Sequence, residues 1–177
     1  MKAYKGVKLY NNYKKVHIKD IAKIFSNNPY YTIIKHSDIV IFSYTPDCYL
    51  LNLSKVEECL IDDFSLLIIT DYKIKKLLDN LDKLHLKFNT ISFNTTNNEQ
   101  VDEVTNDFFQ QLIINGNFSA VFNQLKDYNL KVAECGFLLP DNSIVKITQY
   151  GTIYATDFEE NKQIMKNVVD FMFEGNL

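Results

Sequence analysis

The sequence contains no arginine; all 19 of its basic residues are lysine. Any phosphate contact must therefore use a compact point charge rather than the two-pronged guanidinium. Glycine is scarce, at five residues, whereas asparagine is abundant and doubled at 11–12, 27–28 and 97–98. A bias toward Lys, Asn, Ile and Tyr is what an A·T-rich genome produces, so it reports on codons before function. The three cysteines (Cys48, Cys59, Cys135) form no C-x-x-C, and the three histidines are scattered, which argues against a structural zinc site. Buried free thiols are expected instead. No run of about 18 apolar residues is present, so no membrane-spanning helix is expected. The opening "MKAYKGVKLY" has no apolar stretch of signal-peptide length, and an intracellular protein is expected.

Catalytic signatures are missing as well. No G-x-x-x-x-G-K-[ST], H-E-x-x-H or G-x-S-x-G occurs. The acid pairs Glu57–Glu58, Asp62–Asp63 and Glu159–Glu160 fall at helix starts or on helical faces, where favourable electrostatics with the helix N-terminus explains them. His17, His36 and His85 are far apart in the chain. Neither an enzyme nor a bound cofactor or metal is expected.

What is present is an apolar content of 46% over 177 residues, enough to bury a core in one domain or two small halves. Charge is uneven. Residues 1–40 carry eight lysines against Asp20 and Asp38, a balance of +6, while residues 41–177 carry eleven lysines against twenty acids, a balance of −9. Such asymmetry suits a solvated face, or a basic first half that meets an anionic partner.

The pattern along the chain repeats. "YKGVKLY" (4–10) reads as a strand, and "HIKDIAKIF" (17–25) sets Ile18, Ile21, Ala22 and Phe25 on one helix face. Asn27-Asn28-Pro29 stops that helix. "YYTIIKHS" reads as a strand, followed by a predicted hairpin of "DIVIFSY" and "CYLLNLS" turning at Thr45-Pro46-Asp47. A helix over "KVEECLIDDFSLLII" then runs into the helical tract 71–84. The second half reads in the same order: strand "LHLKFNTISFNTT", helix "NEQVDEVTNDFFQQLII", strand "LKVAECGFLL", hairpin "SIVKIT…TIYAT" and a helix from Asp157 with Glu160 in the capping-box position. In the 98–114 helix, Val101, Val104, Phe108 and Leu112 line one expected face, and Asn115-Gly116-Asn117 ends it. Strand, helix, strand, hairpin, helix, stated twice, indicates one supersecondary unit used twice. The expected halves are residues 1–84 and 85–177.

This order resembles the TATA-binding protein family. "HIKDIAKIF" is similar to the family's first helix, "NNPYYTIIK" to its approach to the second strand, "VIFSY" to its "LIFSSG", and "LSKVEE" to the "GAKSEE" that opens its long helix. "LDKLHLKFNTIS" and "IVKITQYGTIYATDFEE" match the second half in the same manner. The resemblance implies an α+β saddle: two pseudo-symmetric halves in one curved antiparallel sheet, with helices on the convex face. It further implies a transcription initiation factor that binds or bends A·T-rich double-stranded DNA in the minor groove, acting with a B-type initiation factor or RNA polymerase. The acidic balance, the missing arginines and a single matching turn glycine (Gly151) depart from the family. They resemble instead its divergent members in large DNA viruses, which implies host cytoplasm, virion or nucleus.

The family kinks DNA with four phenylalanine wedges, and the matching positions here are Tyr30, Phe42, Leu130 and Thr148. Strand alternation puts Val40, Phe42 and Tyr44 on one side of their strand, with Lys146, Thr148, Tyr150 and Tyr154 as second-half counterparts. Asn89 lies near the family's central groove-reading asparagine. Lys5, Lys8, Lys14, Lys15 and Lys35 are the candidates to neutralise phosphate. A shift of one residue in register exchanges the two faces, so Val40 and Phe42 serve equally well as core against the helices. Two other readings stay open: a protein-interaction module on the same scaffold that does not bind DNA, and an unrelated α+β enzyme.

Overall fold

The computed structural model describes residues 1–10, 15–34, 38–62, 64–97, 99–156 and 158–174; the side chains of 15–17, 58–62 and 174 lie outside that description. Among the described residues there are eight strands, all paired antiparallel where register is defined, and seven α-helices. The α+β class expected from the sequence is observed. The chain forms two compact units, residues 1–68 with 150–177 and residues 69–149, which do not coincide with the expected halves 1–84 and 85–177. None of the helices is long and apolar enough to cross a membrane, among the described residues.

The first unit is organised around β1 (Lys2–Leu9). One edge of β1 pairs with β3 (Ile39–Ser43), which pairs in turn with β2 (Tyr31–Ile33). The other edge is shared: Lys2–Lys5 pair with β8 (Thr152–Ala155), and Val7–Leu9 pair with β4 (Phe64–Leu66). Gly151 sits at this junction with φ +70°, and a Cβ there would fall against the Leu67 carbonyl. Only glycine avoids both penalties.

Helix α1 (Lys15–Phe25) lays Ile18, Ile21, Ala22 and Phe25 on the sheet, the face its i, i+3, i+4, i+7 spacing predicts. They meet Val7, Leu9, Val40, Phe42 and Phe64, together with Val56 from α3 (Leu53–Asp62). Phe25 stacks on Phe42 with centroids 5.2 Å apart and rings 7° from parallel. Strand alternation sends Tyr4, Gly6, Ile39 and Ile41 to the opposite side. That side is covered too. Tyr4 stacks on Phe158 at 4.3 Å, and a Cβ on Gly6 would lie 3.2 Å from Phe173 and 3.5 Å from Val169 of α7 (Lys162–Glu174). The sheet of the first unit therefore has helices on both faces, not on one.

In the second unit β6 (Leu130–Leu138) is central, pairing with β5 (Lys87–Thr95) and β7 (Ile144–Thr148). One face carries Ile91, Phe93, Val132, Cys135, Phe137, Val145 and Ile147, all buried. Against it pack α4 (Asp71–Leu78) and α5 (Glu103–Ile114), and α6 (Phe118–Gln124) packs on both helices. Asp71 ties α4 to β6 by accepting from the Val132 amide at 2.8 Å, and Asn106 ties α5 to β5 by accepting from the Phe93 amide at 3.2 Å. The other face holds Thr90, Ser92, Glu134, Lys146 and Thr148, all half-buried. It is the polar side of an alternating sheet.

The two sequence halves differ in content. The second has the expected strands, helix and final helix, with Gly151 turning the chain between β7 and β8. Its last helix begins at Lys162, and the expected cap at Asp157 lies outside the described residues. The first half lacks the second hairpin strand. "CYLLNLS" is helical instead, split between α2 (Pro46–Leu51) and α3, with Thr45 extended and Pro46 at the first helical position. Proline suits that position because its missing N–H has no helical partner to lose. The long helix expected through Ile69 ends at Asp62, and "FSL" becomes β4 because β1 offers Val7–Leu9 an unpaired edge. Cys48 and Cys135 are buried free thiols, one in each unit.

Candidate functional site

Of the ten residues expected to contact DNA, Lys35 lies outside the described residues and the other nine separate into three groups. Val40, Phe42 and Leu130 are core. Phe42 has 0% exposure beneath α1, and Leu130 is buried in the second unit. Neither can wedge into a base step without opening its unit, so the expected wedges at Phe42 and Leu130 are corrected, and Val40 and Phe42 take the core alternative that the register left open.

Tyr30, Tyr44 and Tyr154 are half-buried in the first unit and engaged there. Tyr30 lies edge-on to Phe158 with ring centroids 6.4 Å apart, and the Lys162 ammonium is 5.7 Å from its centroid; burial holds its phenol above the ordinary range. Tyr44 packs its ring 5.4 Å from Tyr49, and burial raises its phenol likewise. Tyr154 faces Ala3 across the β1–β8 ladder.

Asn89, Lys146 and Thr148 are the third group, and the second unit brings them to its half-buried polar face. The ladder sets Gly136 opposite Lys146 and Glu134 opposite Thr148, and the Asn89 amide lies beside Gly136. Lys146 is already committed, because its ammonium donates to Glu134 Oε1 at 2.9 Å. Lys35, Lys14 and the Lys15 side chain lie outside the described residues. Lys5 is not a surface cation. It is 5% exposed, donates to the Tyr150 carbonyl and to Thr152 Oγ1 at 3.2 Å, and lies 5.3 Å from the Tyr44 ring centroid. Burial lowers its pKa from 10.5 to about 8.

One exposed apolar surface lies on α5. Asp102 caps the helix by accepting from the Thr105 amide at 2.9 Å, a bond to the charged form that holds its carboxyl below the usual range. Phe109 and Ile113 point inward, with Phe109 at 5.3 Å from Phe93. The face expected from the sequence is the other one. Val104 is 80% exposed and Phe108 49%, with Leu112 half-buried one turn further on. The 3.6-residue period places these three on one stripe at i, i+4 and i+8. Phe108 rests edge-on against Phe109 at 5.3 Å, and the exposed Tyr128 does the same from its side, at 5.3 Å and 90°. Sequence reasoning found the stripe without giving the side it faces, since the Phe108-Phe109 doublet puts a phenylalanine on both candidate faces.

Chemically, the stripe offers apolar area and aromatic edges but no nucleophile. Among the described residues no group of three or more histidines, cysteines or carboxylates could hold a metal. No family model, curated protein or solved structure matches the chain.

Proposed function

We propose that this chain is a protein-binding module that docks a partner through the outward stripe of α5 and does not bend DNA. The single observation that carries the reading is the exposure of Val104 and Phe108 on a helix whose opposite side, Phe109 and Ile113, already fills the core. Apolar side chains grouped on one helix face beyond what the fold needs are the usual mark of an association surface. Three further features favour this over a DNA-binding saddle of the TATA-binding type. The two apolar wedge positions Phe42 and Leu130 are buried, the first unit's sheet is covered on both faces, and the net charge is −3. A minor-groove binder needs an uncovered sheet, projecting apolar wedges and a cationic surface.

The test is a fluorescence-anisotropy titration of an A·T-rich duplex at low and moderate salt, with the native chain and with Lys146→Ala. Binding no tighter than non-specific, with no loss in the variant, is expected. Saturable, salt-sensitive binding that weakens in Lys146→Ala would overturn the reading in favour of an initiation factor working through the polar face of the second unit.

A further inference from the structure

The stripe on α5 is bordered by charge of one sign. Between Lys87 and Lys126 the chain has no lysine and four acids, Glu99, Asp102, Glu103 and Asp107. All four are exposed. Glu103 and Asp107 are one turn apart and run alongside Val104 and Phe108 on the neighbouring strip of the helix. Among the described residues no cation pairs with either. Glu103 also lines a cleft of about 490 Å³ between β5 and α5, shared with Ser92, Asn94, Gln100 and Asn106. Carboxylate, amide and hydroxyl oxygens around one opening suit an ammonium head on an apolar stem.

We propose that the partner docked on α5 is a basic amphipathic peptide segment. Its apolar side covers Val104, Phe108 and Leu112, and its lysine or arginine rim meets Glu103 and Asp107, with one cationic side chain reaching the β5–α5 cleft. This rests on the protein-binding reading above and adds the chemistry of the partner. An acidic segment would place like charges along the whole rim, which rim electrostatics disfavours. A nucleic acid is disfavoured for the same reason.

The experiment uses the full chain and three synthetic, fluorescein-labelled helical peptides with one shared leucine stripe and lysine, glutamine or glutamate flanks. At low salt the lysine-flanked peptide is expected to bind at least about tenfold more tightly than the glutamate-flanked one, with the ratio falling toward one as salt rises. The double variant Glu103→Gln/Asp107→Asn is expected to erase that ratio while keeping its thermal midpoint. Phe108→Ser is expected to weaken all binding. Equal binding of the three peptides, lost in Phe108→Ser, overturns the basic partner and leaves the protein-binding reading standing. Binding of none of the three overturns both, as does binding unaffected by Phe108→Ser.

Discussion

The two compact units treat their sheets differently. In the first, every described residue of β3 from Ile39 to Phe42 is buried, because α1 and α3 cover one side while Phe158 and α7 cover the other. In the second, burial alternates along β7, with Val145 and Ile147 inside and Lys146 and Thr148 half-exposed. The same strand pattern thus means different things according to how many helices are at hand. A run such as "IVIF" is read as core on both sides, and a run such as "IVKIT" as core on one. The unit that carries the exposed stripe on α5 is also the unit whose sheet keeps a polar face. The unit with most of the expected DNA contacts has its sheet covered on both sides.

The sharpest way to break this comparison is Phe42→Ala. As a fully buried ring stacked on Phe25, Phe42 should cost roughly 3–5 kcal/mol on truncation, read as a shift in urea midpoint. A loss below about 0.5 kcal/mol would place Phe42 at a surface and reopen the wedge.

The two lysines give the next contrast. Lys5 is held in the first unit with its pKa lowered to about 8 from 10.5. Below pH 8 the amine is charged in both folded and unfolded chains, and the folded chain bears the whole desolvation cost. Between pH 8 and 10.5 the folded chain releases the proton while the unfolded chain keeps it. The unfolded state then binds more protons, so stability rises with pH through that window, by about 3 kcal/mol at most. Lys5→Met should remove the rise, measured as the difference between two stability–pH curves; parallel curves would show that Lys5 is solvated. The smallest effect belongs to Lys146, whose ion pair with Glu134 is partly exposed. Lys146→Ala should cost about 0.2–1 kcal/mol and lose that difference in high salt. A larger, salt-resistant loss would mean that the polar face of the second unit is as closed as the sheet of the first.

Most regular elements were legible in the sequence because their patterns had one interpretation. Ile18, Ile21, Ala22 and Phe25 fit only a helix face, and Asn27-Asn28-Pro29 only its end. The errors came where a short apolar run fits two periods. "CYLLNLS" reads as alternation or as a helix turn, and Pro46 decides for the helix by starting it. "FSLL" reads as more helix or as a strand, and the free edge of β1, which no local signal reveals, decides for the strand. The first change removes the first-half hairpin on which the duplicated order depended, and the second cuts short the helix that followed it. The candidate site failed for a related reason. Which face of β3 is open depends on where α7, more than a hundred residues later, comes to rest. Adjacent phenylalanines at 108 and 109 made inside and outside of α5 a choice between equals, settled by the Asn106 bond to β5.

The buried thiols of Cys48 and Cys135 turn this division into something that can be timed. Each sits at or below 2% exposure in a different unit, and a sulfhydryl reagent can reach it only when the surrounding packing opens. Site-resolved labelling by mass spectrometry would give each unit its own clock. Matching rates would mean that the chain breathes as one cooperative body, and separate rates would mean two.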